Sequence, residues 1–492
     1  MKIASLINDA ARKVSLADLD GAWSEQVRES CAWHLAKALR FKVKLSQNLG
    51  SKLQQLAFSI VCLLFMILAL PQFASDKEGL ALISTAGLVI WLIGSFLGGP
   101  ERRKMSMIDG LVLLYLGANI VATFSSHYVL ESIKGLSKVI VYILNYFLLT
   151  AVLAKSPNRL TKVIVAALFT GMLVSLYGLY QYKIGVAPLA TWEDPTVESK
   201  GTRIYSTLGN PNLLAGYLIP LFPMAFALGI ATATGACERL KGALSRWLVS
   251  AVWLGSSAVL ALATILTGSR GGYLAIGAMV AALVLALLVY VLSSAANRKF
   301  IVPTVIGTLL ALVLGAVAVH FLAPSFEQRL NSIFAGSEHS SNAYRLYVWR
   351  ASLRMFEDNW WFGVGPGNTT FRLAYGLYMK SGFDALGTYC VPLEVGVECG
   401  IVGLLAFLAM IVSLFARGHL LFWKTNRPIY RWNSLGLTIA LLGLSIQGLV
   451  DTVFYRPQVH FIFWLTVAGL TVLSTMAADS ENDIANKLES AS

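Results

Sequence analysis

Apolar runs separated by short polar stretches dominate the chain, and the runs recur at about 56 to 73, 79 to 98, 107 to 124, 136 to 154, 163 to 182, 212 to 234, 248 to 267, 272 to 292, 301 to 322, 400 to 416, 433 to 450 and 458 to 477. Each is close to the roughly 20 residues that a helix needs to cross a hydrocarbon core about 30 Å thick. The pattern predicts an all-α polytopic membrane protein with about twelve transmembrane helices. Two intervals break the rhythm. Residues 1–55 are polar with interspersed apolar positions, and residues 323–399 form one long segment that no hydrophobic run interrupts.

The chain divides into five parts: an N-terminal segment 1–55, a membrane region 56–322 of about nine helices, the loop 323–399, a second membrane region 400–477 of about three helices, and a tail 478–492. In the first, Lys37, Arg40, Lys42, Lys44 and Lys52 lie among Trp33, Leu35, Leu39 and Phe41. This reads either as a basic amphipathic helix on the inner leaflet or as a solvated tail. Since the first apolar run begins only near Leu56, no cleavable signal peptide is expected.

Composition agrees with a membrane protein, because 56% of residues are hydrophobic and only 13% are charged. A soluble domain carries about 25% charged residues. The net charge of +13 raises nucleic acid as a partner, but its distribution removes that reading. Arg102, Arg103 and Lys104, then Lys155, Arg159 and Lys162, then Arg239, Lys241 and Arg246, then Arg298 and Lys299, and finally Arg417, Lys424, Arg427 and Arg431 all fall in alternate loops. That is positive-inside topology, with both termini in the cytoplasm and the 323–399 loop outside. Lys134 and Lys138 depart mildly from it. The cysteines Cys31, Cys62, Cys237, Cys390 and Cys399 show no metal-ligand spacing, no metal or cofactor is expected, and only Cys390 and Cys399 would share the outer side.

Cations on the outer side then carry the information. Arg203 stands in the turn-rich Thr202–Asn212 stretch, Arg270 between Ser269 and Gly271-Gly272, Arg345 in the long loop, and Arg456 after Asp451. Convergent guanidiniums suit a phosphate or diphosphate, because each donates two parallel hydrogen bonds and stays charged. Alternatively each Arg snorkels to headgroups or pairs with a local acid, as Arg456 could with Asp451. For Arg270 the flanking glycines favour a ligand close to the backbone N–H groups.

Other residues are candidates of a different kind. Glu394 and Glu398, four apart on one helical face, could serve as a base and its neighbour or could cap the tenth span. His339 lies in a Ser-rich stretch. Trp349, Trp360 and Trp361 line a sugar platform or anchor the loop at the interface. Gly363-Val-Gly365-Pro-Gly367 lacks the strand and helix of a nucleotide-binding unit and reads as a turn.

Ser269-Arg270-Gly271-Gly272, Arg345-x-x-x-Trp349, Gly363-Val-Gly365 and Glu398-Cys-Gly400-Ile-Val-Gly403-Leu resemble the O-antigen ligase and polymerase superfamily of membrane glycosyltransferases, over about residues 200 to 415. Thr207–Tyr217, Trp361–Asn368, Tyr378-Met-Lys380 and Val450–Gln458 are similar to one branch of it, the cyanobacterial bicarbonate transporter group called the inorganic carbon transport B family. The superfamily resemblance implies a GT-C-like architecture in a bacterial inner membrane. It also implies transfer of a glycan from an undecaprenyl-diphosphate carrier to a glycan or lipid acceptor, without metal or nucleotide. Arg203, Arg270 and Arg345 match the arginine positions that would hold the diphosphate. Where ligases have a histidine, this chain has Tyr389, so Tyr389, Glu394 or His339 would have to activate the acceptor. The branch resemblance implies inorganic carbon transport or an accessory role instead.

Overall fold

The computed structural model describes residues 2–30, 47–72, 77–98, 104–187, 189, 202–236, 242–293, 301–323, 326–334, 340–452 and 456–489. Two short helices, α1 (Lys2–Val14) and α2 (Asp20–Glu29), precede the bundle. Next come α3 (Gln47–Ile67), α4 (Lys77–Gly98), α5 (Met107–Ser125), α6 (Val129–Leu153) and α7 (Pro157–Ile184). A broken span, α8 (Pro211–Leu218) with α9 (Leu221–Ala233), leads to α10 (Ala243–Leu266), α11 (Arg270–Ser293) and α12 (Ile301–Leu322). The long loop holds α13 (Phe326–Phe334), α14 (Ser340–Asp358) and α15 (Asn368–Tyr375). The chain closes with α16 (Val391–Lys424), α17 (Pro428–Gly448) and α18 (Pro457–Glu489).

Among the described residues, eleven helices are long and apolar enough to cross a membrane, counting α8 and α9 as one span. The sequence pattern predicts about twelve, and the difference is α17. This 21-residue helix packs against α9, α11, α16 and α18, but its Arg431, Asn433 and Gln447 make it less apolar than the rest. Its polar groups are tolerable because its neighbours bury them.

Local chemistry explains the breaks. Asn210 caps α8 by accepting from the N–H groups of Asn212 (2.9 Å) and Leu213 (3.4 Å), and Pro211 occupies the first turn, where its missing N–H costs nothing. In α16 the helical path breaks at Cys399 and Gly400, the latter with φ 69°. A side chain at Gly400 would place its Cβ 2.2 Å from the Trp361 carbonyl oxygen, so only glycine fits there. The helix that holds the kink begins at Val391, nine residues before the expected start of the span at 400.

The bundle has two ends. At one, α1 and α2 dock against the bundle, and Lys104 pairs with Asp479 at 2.5 Å. The described basic residues Lys155, Arg159, Lys162, Arg417, Lys424, Arg427 and Arg431 lie near helix ends on this side. Residues 31–46, 99–103, 237–241 and 294–300, with their basic positions, lie outside the described residues. The other end carries the long loop, which has its own apolar cluster of Val348, Met355, Phe371, Tyr375 and Val397. The odd cations Lys134 and Lys138 also find an account there, since α6 starts at Val129 rather than 136 and Lys134 pairs with Glu131 at 2.7 Å.

Candidate functional site

The tight turn from α10 to α11 organises the loop end. Gly268 takes φ 63°, Thr267 Oγ1 accepts from the Ser269 N–H (3.1 Å), and Ser269 Oγ accepts from the Gly272 N–H (3.2 Å). The turn thus spends its own polar groups on its geometry and projects Arg270 from the first position of α11. The glycines beside Arg270, expected to admit a ligand, do something else. A Cβ on Gly271 would lie 3.0 Å from Val450 Cγ2 and 3.3 Å from Gln447 Cγ, so that space is filled by the end of α17 and the residues just beyond it.

Guanidiniums gather round this turn. Arg203 donates through Nε to the Thr267 carbonyl (2.9 Å) and through Nη2 to Asn212 Oδ1 (3.1 Å). Arg329, from α13, reaches the same place, with Nη1 at 3.5 Å from the Gly268 carbonyl oxygen. A Cβ on Gly268 would sit 2.9 Å from Arg329 Nε and 3.2 Å from Arg203 Nε, so the two cations flank one point. Arg270 donates to Asn342 Oδ1 (2.8 Å) on α14 and feels the charges of Arg345, Arg329 and Asp451. Arg345, also on α14, donates to Ser341 Oγ (3.0 Å) and lies 5.9 Å from the Tyr389 ring centre. Its Nε is buried without a hydrogen-bond partner among the described residues.

Asp451 lies within the fields of Arg345, Arg203 and Arg270. Loss of hydration raises its carboxyl above the ordinary range, against the pull of the three cations. Three of the four guanidiniums thus act on this carboxylate. Sequence reasoning found Arg203, Arg270 and Arg345 but passed over Arg329. The signal for it was available, since Arg329 is also a cation on the side where the charge bias expects few.

The acceptor-side candidates meet at Thr452. The Tyr389 N–H donates to Thr452 Oγ1 (3.0 Å), and that hydroxyl donates to Glu394 Oε2 (3.3 Å). Tyr389 has φ 55°, uncommon for a non-glycine residue, and its ring meets Tyr344 edge-on at 5.6 Å. Burial first, then Tyr344, pushes its phenol well above its usual value. Glu398 turns elsewhere: its Oε1 accepts the Gly367 N–H at 2.9 Å and fastens the glycine-rich turn. Trp349, one turn after Arg345, has a buried Nε1 without a partner among the described residues. Arg456 stands at the start of α18, five residues past Asp451 and separated from it by 453–455, which are outside the described residues. His339 is outside them too.

The glycine-rich stretch is structural. The Val364 and Gly365 N–H groups donate to the carbonyls of Val397 (2.9 Å) and Glu398 (3.0 Å), and Ile401 N–H donates to the Trp360 carbonyl (2.8 Å). Trp360 and Trp361 stack at 4.5 Å beside this seam and are about half exposed, as interface anchors would be. Cys390 and Cys399 are both free thiols. No three His, Cys, Asp or Glu side chains gather at metal-binding range among the described residues.

Residues 255–408 match the family model of the O-antigen ligases. The match supports the O-antigen ligase superfamily for this chain. It runs from α10 through the loop and past the kink in α16, and so covers Arg270, Arg329, Arg345, Tyr389 and Glu394 but not Arg203 or Asp451. No curated protein matches the chain.

Proposed function

We propose that the loop end binds the diphosphate of a lipid-linked glycan, in a bacterial inner membrane an undecaprenyl-diphosphate glycan, and transfers the glycan to the hydroxyl of a glycan or lipid acceptor. The observation that carries this reading is the convergence of guanidiniums at Gly268, where Arg329 Nε and Arg203 Nε lie 2.9 and 3.2 Å from one point and Arg270 feels the charges of Arg345 and Arg329. Arginines at the edge of a bilayer are costly unless an anion meets them. Arg203, Arg270 and Arg345 would hold the diphosphate oxygens. The anomeric carbon–oxygen bond breaks, its electron pair leaves on the diphosphate, and the acceptor oxygen forms the new bond. The acceptor proton goes to a base.

Glu394 is our choice of base, because the Thr452 hydroxyl already orients its carboxylate toward the site. Tyr389, its phenol pushed up by burial, fits the role of hydrogen-bond donor better than that of base. Positive-inside topology puts this end outside and both termini in the cytoplasm. The reading is tested by purifying the protein with its lipids and seeking a bound polyprenyl diphosphate. Its presence in the wild type and its loss in Arg270→Ala support the proposal, and normal surface polysaccharide in a deletion strain argues against it. The inorganic-carbon alternative would put bicarbonate among the arginines, yet four guanidiniums at the rim exceed what a single negative charge needs, and carriers bind at mid-membrane. Labelled bicarbonate accumulating in proteoliposomes above empty vesicles would favour that alternative.

A further inference from the structure

One face of α14 carries three buried polar atoms without hydrogen-bond partners among the described residues: Arg345 Nε, Trp349 Nε1 and Ser352 Oγ. With Asn342 before them and Phe356 after, these residues follow one another at spacings of three and four, and so share a stripe along the helix. The stripe is anchored at both ends. Asn342 Oδ1 accepts from Arg270 Nη1 at 2.8 Å, and a Cβ on Gly396 would lie 3.3 Å from Phe356 Cε2. It therefore runs from the arginine turn to the first turns of α16, where Glu394 stands just before Gly396. The neighbouring face of α14, with Val348, Ala351 and Met355, is spent on the loop's own apolar cluster.

The chemistry of the row specifies what meets it. Arginine Nε and tryptophan Nε1 only donate, and a serine hydroxyl donates or accepts. Buried groups of this kind are costly unless an oxygen atom meets them. The fold does not supply one: the Ser352 hydroxyl makes no bond back to the preceding turn, as those of Ser59 and Thr123 do in the bundle. A polyprenyl chain has no oxygens to offer, and on the reading above the diphosphate is engaged at the arginine turn. A sugar ring presents hydroxyl and ring oxygens a few ångströms apart, which suits side chains about 5–6 Å apart on one helical face.

We propose that Trp349 and Ser352, with the Nε of Arg345, form a subsite that holds the sugar joined directly to the diphosphate by its hydroxyls. This deepens the transfer reading and rests on it. Arg345 stands at the junction, because its charge reaches Arg270 and Asp451 while its Nε belongs to the row. A sugar held along the row lies between the diphosphate and Glu394, the order that transfer requires. Trp349 acts through its indole N–H and not as a stacking platform.

The test uses the full chain in lipid nanodiscs, with farnesyl diphosphate esterified at its terminal phosphate by a methyl group or by glucose, galactose or N-acetylglucosamine. All these probes carry the same charge, so differences between them report the sugar. Wild type is expected to bind at least one glycosyl probe about tenfold more tightly than the methyl ester, the factor that one net hydrogen bond provides. Trp349→Phe keeps the aromatic bulk and deletes the N–H; it brings the two affinities within about threefold and leaves that for the methyl ester unchanged. Ser352→Ala removes a smaller part of the preference, and Arg270→Gln weakens all probes alike. Should Trp349→Phe lose the methyl ester as well, Ser352→Ala, which deletes a single oxygen, decides alone. Full preference retained in both variants, or a wild type that binds every probe equally, means that water alone meets the row; either result overturns the sugar subsite and leaves the diphosphate reading standing. A wild type that binds none of the probes overturns both.

Discussion

Both ends of the bundle bury arginine, and they do so in opposite ways. At the end where α1 and α2 dock, the Arg417 side chain is 1% exposed and fully provided for. It donates to both oxygens of Asp20 (2.8 and 2.9 Å), to the Ser15 carbonyl (2.9 Å) and to Ser474 Oγ (3.2 Å). Asp20 in turn accepts the Met107 N–H at 2.7 Å, which ties three parts of the chain together. At the loop end, Arg203, Arg270, Arg329 and Arg345 donate to carbonyl, amide and hydroxyl oxygens, and Asp451 lies in the fields of Arg345, Arg203 and Arg270. An arginine whose charge is met by its own carboxylate is a fastener. Arginines that reach one turn from several separate segments are, on the proposal above, a receptor for an anion.

Removing a partner should therefore act differently at the two ends. Asp20→Ala leaves the Arg417 charge buried without its counter-ion and is expected to cost about 3–5 kcal/mol. A large fall in the thermal unfolding midpoint of the detergent-solubilised protein would show it. Asp20→Ala combined with Arg417→Leu should recover much of that loss, because an apolar pair of similar volume removes the uncompensated charge. Arg270→Ala should leave the midpoint nearly unchanged, since its loss relieves repulsion from Arg345 and Arg329. Its transfer rate, or its retention of polyprenyl diphosphate, should fall about 100-fold. If Arg270→Ala destabilised the protein as Asp20→Ala does, the contrast between fastener and receptor would be lost.

The contrast was only half visible in the sequence. The apolar runs and the outer-side cations Arg203, Arg270 and Arg345 were legible, because apolar runs and charge bias are local signals. The run 433 to 450 was legible as a helix, and α17 covers most of it, although its polar residues leave it less apolar than the eleven candidate spans. The Arg417–Asp20 pair spans 397 positions and was hidden, since Arg417 looked like one more inside-facing cation. Arg329 did not stand out, because no motif around it in α13 marks it and only the packing of α13 brings it to Gly268. Gly271 was misread for the opposite reason: glycine beside arginine suggests a ligand, whereas here it admits Val450 and Gln447. Such meetings of distant segments are set by packing, which local pattern does not encode.

Gly268→Ala should sharpen the loop-end half of the comparison with a smaller effect. The residue sits at φ 63°, where a side chain costs roughly 1–2 kcal/mol. The added methyl group would also press on Arg329 Nε at 2.9 Å and Arg203 Nε at 3.2 Å. Both side chains would have to shift away from the turn, so about tenfold weaker diphosphate binding is expected beside the backbone cost. Equal affinity in wild type and variant would mean that the two arginines need not converge at this turn.

The smallest effect is expected at Tyr389, and its pH dependence matters more than its size. Burial raises the phenol above its usual pKa of about 10, so it remains protonated throughout the range in which a membrane transferase is assayed. A group that stays neutral can donate a hydrogen bond at every pH, but it gains no basicity as pH rises. Tyr389→Phe should therefore lower the rate by a constant factor, about three- to tenfold, and leave the shape of the pH–rate profile unchanged. Were Tyr389 the base, the wild-type rate would climb with pH toward the phenol's pKa and the Phe variant would lose that climb. Glu394→Gln should behave in the opposite way, removing the acidic limb of the profile if its carboxylate takes the acceptor proton. The pair of profiles separates the donor from the base at positions joined through Thr452.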